Sequence, residues 1–194
     1  MKSAVIAKEF IKKFSDKKIN QKLQRQMDLV LAKLEAFIGD PDVTLSKYKN
    51  QSDELANYKK SIALFHKGKV AESLALLDPI IEKRMPRNGI AVTGLPDRDS
   101  ELGFLYEMKG QILFASGDIE NSILAYDQTI KLLSAKDGSQ AKISFASGIL
   151  ALKKNDRELL QRAIKRLEEA KLFEEESTFL FKQLASAYSK INDE

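Results

Sequence analysis

The chain has a single histidine, His66, and no cysteine in 194 residues. Two-histidine zinc sites, thiolate metal sites, disulfides, cysteine nucleophiles and Ser–His dyads all need more than that. A lone imidazole just before a glycine reads as a polar surface or groove residue rather than a ligand. Asp97, Asp99 and Glu101 are spaced like the first ligands of a calcium loop. Leu102, however, stands where that loop needs glycine, and Gly103 comes one residue late. Glu168 and Glu169, and the run Glu174, Glu175 and Glu176, are adjacent in sequence, so they point to different sides of a helix and serve solvation rather than acid–base chemistry. Neither GxGxxG nor GxxxxGK[ST] is present to cradle phosphate. No catalytic residue, no metal and no cofactor is expected, which leaves binding.

The elements that would carry a binding surface are helices. In YEMKGQILFASGDIENSILAYDQTIKL, residues 106 to 132, apolar positions fall at Tyr106, Ile112, Leu113 and Phe114 and recur at Ile119, Ile123, Tyr126 and Ile130. Gly117 can take the left-handed conformation that closes a helix, and Asp118 can cap the next one, so the stretch folds back as an antiparallel hairpin. Small residues at Gly110 and Ser122 let the two backbones approach.

Tyr106, Gly110, Gly117, Ser122 and Tyr126 match the grammar of the tetratricopeptide (TPR) repeat: aromatic, small residue, glycine turn, second small residue, aromatic. Such a repeat cannot bury its face alone, so others are expected. Upstream, Ser61, Leu64, Gly68, Ser73 and Leu77 stand in the same registers. Downstream come Gly148, Ala151, the turn Asn155-Asp156, then Ala163, Leu167 and Ala170 after a three-residue extension. A last half repeat has Phe181, Leu184, Ala185 and Tyr188. The first small residues are 49, 38 and 37 apart. The predicted fold is therefore all-α: a TPR-like solenoid of about three and a half repeats over 50–194, with N-terminal helices over 1–41 packed on the first repeat.

The excess in the longest spacing is residues 84–100, RMPRNGIAVTGLPDRDS, read as an inserted inter-repeat loop because Pro86, Gly89, Gly94 and Pro96 break helix. Pro79 falls inside a helix and is expected to kink it. Ahead of the repeats, Leu23, Met27, Val30, Leu31, Leu34 and Ile38 form one stripe that ends at Gly39-Asp40-Pro41. Hydrophobic residues make up 43% and charged residues 31% of the chain, as in globular proteins, and no apolar run is long enough to span a bilayer. The start MKSAVIAKEFIKKF lacks the uninterrupted apolar core of a secretory signal. Net charge is +4 but uneven, since residues 1–25 carry eight basic side chains against two acidic ones. With Val5, Ile6, Phe10, Ile11 and Phe14 they make a basic amphipathic segment that reads as docking on a neighbouring helix rather than on nucleic acid or membrane.

In a TPR stack the first helices line the concave side, exposing positions three before, one after and five after the small residue. These are Tyr58, Ile62 and His66; Glu107, Gln111 and Ala115; Phe145, Ile149 and Lys153; and Lys182, Ser186 and Lys190. The expected partners are protein or peptide segments. Ile62 and Gln111 stand where a clamp for C-terminal carboxylates wants asparagine, which disfavours chaperone-tail binding. The alternative for these positions is that several pack against the N-terminal helices.

ELGFLYEMKGQILFASGDIENSILAYDQTIKLL, RQMDLVLAKLEAFI and NDRELLQRAIKRLEEAKLFEEESTFLFKQLASAYSKIND resemble the C-terminal TPR region of bacterial periplasmic zinc-dependent proteases, metallopeptidase family forty-eight. The resemblance implies a domain that follows a catalytic HExxH domain, in the periplasm, and engages that domain and outer-membrane assembly components. HExxH is absent from this chain, so the chain itself is not expected to be an enzyme. Met27 stands where the family tends to have histidine, the junction 84–100 is longer than usual, and further helix usually follows the equivalent of Ile191. The second reading is an independent TPR adaptor unrelated to a protease, for which a cytoplasmic location stays open.

Overall fold

The computed structural model describes residues 39–85, 100–152 and 156–192, together with helical positions 24, 27–29, 31 and 33. Residues 1–18, most of the interval 84–100, Lys153 and the turn residue Asn155 lie outside the described residues. All regular structure among those described is helical. The chain separates into two compact units, Met1–Met85 and Pro86–Glu194, dividing at the start of the interval 84–100.

In the first unit, α1 (Pro41–Lys47) begins where the sequence reading ended a helix. Asp40 accepts from the Asp42 N–H at 2.8 Å and Pro41 takes the first helical position, where its missing N–H costs nothing. Asp40-Pro41 is the start signal of α1. α2 (Glu54–His66) is capped by Asp53, which accepts from the Ala56 N–H at 3.0 Å. It closes through Gly68, at φ +71. α3 (Val70–Arg84) returns antiparallel, so Glu54 at the start of α2 pairs with Lys83 at 2.9 Å and Arg84 at 2.7 Å at the end of α3. Between the helices the two small residues meet: Ser73 Oγ donates to the Ser61 carbonyl at 2.7 Å, and the two hydroxyls are 3.0 Å apart. Pro79 does not end α3, which runs through it with Leu77, Ile80 and Ile81 buried. Pro79 and Ala75 are both exposed, so the missing hydrogen bond falls on the exposed side of α3.

In the second unit, α4 (Ser100–Ala115) starts well before Tyr106, so the TPR hairpin's first helix takes in the last residue of the expected loop. Glu101 lies in its first turn and is buried, which removes it from any calcium loop. Gly117, at φ +86, makes the turn, and Asp118 caps α5 (Ile119–Leu132) by accepting from the Asn121 N–H at 3.3 Å. α6 (Ser139–Ala151) follows. α7 (Arg157–Lys171) is capped by Asp156, which accepts from the Leu159 N–H at 3.1 Å, and α8 (Thr178–Asn192) follows it. Successive helices pack on one another, and α8 also touches α6. One core of Ile123, Tyr126, Phe145, Ala146, Leu167, Leu180 and their neighbours joins α5 through α8.

Candidate interaction surface

Which residues a helical hairpin leaves open depends on its register, and two glycines show where the register lies. A Cβ built on Gly110 would meet the Tyr126 ring at 2.8 Å, so Gly110 faces the second helix of its own hairpin. A Cβ on Gly148 would instead meet Ile123 at 2.8 Å, on the second helix of the preceding hairpin. The α6 residue equivalent to Gly110 is Ala146, fully buried and five positions before the end of its helix, as Gly110 is in α4 and Ser61 in α2. Lys142, one turn earlier, confirms the facing by pairing with Glu169 of α7 at 3.3 Å.

The register of α6 is thus displaced by two residues from the one the sequence suggests. Phe145 and Ile149 are buried at 0% and 3% exposure, and Arg162 of α7 lies 5.4 Å over the Phe145 ring. The exposed residues of α6 are Gln140 and Ala151, with Ser144, Ser147 and Leu150 half-buried, a more polar surface than the Phe145 and Ile149 expected there. Sequence reasoning missed these residues because Ala146 and Gly148 are both small, and glycine was the stronger cue. The spacing of Gln140, Ser144, Ser147 and Ala151, alternating four and three residues along one helical face, was the signal available.

In α2, Tyr58 and Ile62 are buried at 1% and 0%, so these positions belong to the core of their unit. His66 is exposed at the end of the helix, its ring 5.6 Å from that of Phe65. On α4, Glu107 and Gln111 are half-buried and linked, Gln111 Nε2 donating to Glu107 at 3.4 Å, while Ala115 is exposed. On α8, Lys182 and Ser186 are exposed, and half-buried Lys190 donates to the Leu150 carbonyl at 2.9 Å, near the C-terminal end of α6. Lys190 therefore has a structural partner, and Lys153 lies outside the described residues.

The Glu107 charge acts on Tyr126 of α5, 3% exposed. Burial pushes its phenol up to about 12, with a hydrogen bond to Ser144 pulling the other way and the Glu107 charge adding to the rise. Such a phenol stays neutral at ordinary pH, donates a hydrogen bond and offers no nucleophile. It ties α5 to Ser144 of α6 and lies within the influence of the Glu107 charge on α4. On the second helices, Asp127 pairs with Lys131 at 2.7 Å and approaches Arg162 and Arg166 at 3.9 Å. Glu169 sits nearby: burial alone would raise its carboxyl, but bonds to Arg166 and Lys142 outweigh that and hold it below its ordinary value. Among the described residues no group of three or more His, Asp or Glu side chains is placed to hold a metal ion, and no helix is long and apolar enough to cross a membrane.

No protein-family model matches the chain, and no curated protein matches it. Solved structures do. YrrB, described as a TPR protein with an unusual peptide-binding site, superposes with a TM-score of 0.61 at 13% identity, covering 98% of this chain and 86% of that one. The nearly identical TPR-like repeats of a putative kinesin light chain from Podosopora anserina superpose with a TM-score of 0.55 at 14% identity, covering 90% of each chain. At these identities the likeness concerns the fold: the chain is an all-α, TPR-like array of helical hairpins.

Proposed function

We propose that the chain is a non-catalytic TPR interaction module that binds extended protein or peptide segments along the first helices of its second unit. The observation that carries this reading is the polar surface of those helices. Glu107 and Gln111 on α4 and Ser144 and Ser147 on α6 are half-buried, and Lys182 and Ser186 on α8 are exposed, so each first helix of the unit keeps polar side chains within reach of its surface. Hydroxyls, an amide and charges in that arrangement can hydrogen-bond a peptide backbone without demanding one side-chain type. YrrB's peptide-binding site lends support from a protein of similar fold. Binding of immobilised peptide pools, followed by backbone chemical shifts of the isotope-labelled full chain, tests the reading. Shifts confined to α4, α6 and α8, weakened by Ser147→Arg and Lys182→Glu, are expected. A bound peptide whose shifts map to α5 and α7 would refute it.

A narrower reading extends the first: the module partners a periplasmic HExxH protease and outer-membrane assembly components, as the C-terminal region it resembles is implied to do. Its support is the sequence phrases YEMKGQIL, LLQRAIKRLEEA and QLASAY. Capture of a purified catalytic domain of such a protease by the immobilised full chain tests it. Failure to capture, with peptide binding intact, leaves the independent adaptor as the reading.

A further inference from the structure

Each first helix presents one face to its own second helix, made by the small residue and the positions four before and three after it. On α2, α4 and α6 the small residues Ser61, Gly110 and Ala146 are buried, and the residues three later, Leu64, Leu113 and Ile149, are 8%, 7% and 3% exposed. On α8 the same positions are Phe181, Ala185 and Tyr188, and all three are exposed, the aromatics at 43% and 44%. α8 is docked through another stripe, Leu180, Leu184 and Ala187, against the preceding helices. A face that three hairpins cover with an antiparallel helix is thus uncovered on the fourth by any described residue.

The three covering helices share one pattern: a residue that fits the gap, then large or packed positions four and seven later. These are Ser73–Leu77–Ile80, Ser122–Tyr126–Thr129 and Ala163–Leu167–Ala170. Ala7, Ile11 and Phe14 repeat that spacing within the N-terminal segment, which lies outside the described residues. Charge matches as well. Residues 1–25 carry eight basic side chains against two acidic ones, whereas residues 168–176 carry five carboxylates against one lysine. Of these, Glu168 lies 3.4 Å from the Tyr188 hydroxyl, and exposed Glu175 and Glu176 stand in the turn that leads into α8. Opposite charge at the rim of an apolar face steers association and fixes register.

We propose that the open face of α8 docks the N-terminal segment of a second copy of this chain, in a head-to-tail contact. Each chain has one such segment and one such face, so the contact is heterologous and can repeat from copy to copy. Ala185 admits the backbone of the incoming segment, Phe181 and Tyr188 flank it, and the lysines of the segment meet Glu168, Glu175 and Glu176.

Light scattering on the full chain over a concentration series tests this. The mass of the native chain should climb above that of one 21.8 kDa chain as concentration rises, and fall back in high salt. Ala185→Arg blocks the face and Phe10→Asp blocks the segment. Each alone should weaken self-association by roughly tenfold or more. Mixed in equal amounts, they should form a species of two chains, because each variant keeps the end that the other has lost. A native chain that stays monomeric throughout, self-association that survives Phe10→Asp, or a mixture that stays monomeric would overturn the proposal. Ala185 is exposed, so its replacement is compatible with folding, and an unchanged circular-dichroism melt of each variant verifies that.

Discussion

Replacing Gly110 with alanine asks how much a single methyl group costs when a ring already fills its place. The added Cβ would lie 2.8, 2.9 and 3.0 Å from three carbons of the Tyr126 ring. Carbon atoms prefer about 3.5–4.0 Å, so the ring must retreat by more than half an ångström. Tyr126 is 3% exposed and hydrogen-bonded to Ser144, so it cannot swing into solvent. Overpacking of this kind costs about 1–3 kcal/mol. Alanine recovers up to about 1 kcal/mol of helix propensity, so the net loss for Gly110→Ala is about 1 kcal/mol, and Gly110→Leu reaches about 3 kcal/mol. Gly117 supplies the contrast. Nothing lies within 4 Å of its missing Cβ, but its φ of +86 is strained for any L-residue. Gly117→Ala should cost about 1–2 kcal/mol through the backbone, and Gly117→Asn less, because asparagine visits that conformation more readily. Urea melts should therefore rank asparagine milder than alanine at 117 and no milder at 110. In a Tyr126→Leu background the Gly110→Ala penalty should shrink by about 0.5 kcal/mol or more while the Gly117→Ala penalty stays constant. An undiminished Gly110→Ala penalty in that background would refute the claim that ring contact sets the helix spacing.

The Ser61–Ser73 contact should behave asymmetrically in the same melts. Ser73→Ala strands the buried Ser61 hydroxyl and costs about 1–2 kcal/mol, whereas the double alanine variant, with both partners gone, falls close to the native chain. Acid should destabilise the fold. The bond from Lys83 is the largest influence on Glu54, and with Arg84 it holds that carboxyl below its usual value against the effect of burial; Glu169 is lowered too. Groups with depressed folded values contribute stability above their unfolded value, near 4.5, and lose it as pH falls through the folded value. Glu54→Gln should flatten the pH dependence of the melting temperature below 4.5, and an unchanged slope would count against these pairs. At the other extreme the Tyr126 phenol is raised from 10.0 to about 12, so its contribution is complete below pH 10 and is lost between 10 and 12. Tyr126→Phe should lose less stability over that alkaline interval than the native chain, as read by melts at fixed ionic strength.

Local backbone chemistry was legible in the residues themselves. Gly68 and Gly117 adopt positive φ, Asp118 caps a helix, and Ser61, Ser73, Gly110 and Ser122 sit where two helices come close. Each of these depends on a residue's own conformational range or on a donor within four positions, so type and spacing suffice. The all-α class and the hairpin repeat follow from the same signals. Asp40-Pro41 also starts a helix that the sequence reading did not name, because the pair is equally at home after one helix and before another.

What only the packed chain decided is which side of each helix meets which neighbour. Ala146 and Gly148 are both small enough for a close approach, and the choice between them was made by Ile123 and Glu169, on helices distant in sequence. That choice placed Phe145 and Ile149 in the core and left Ser144 and Ser147 half-buried. Tyr58 and Ile62 likewise occupy register positions that a repeat leaves open, yet are buried in their own unit. The uncovered face of α8 is the reverse case, because Phe181, Ala185 and Tyr188 carry the pattern of a buried face and no described helix covers it. Burial is a property of pairs of surfaces, so a periodic pattern names the face that seeks a partner, and only the assembled neighbours decide whether it has one.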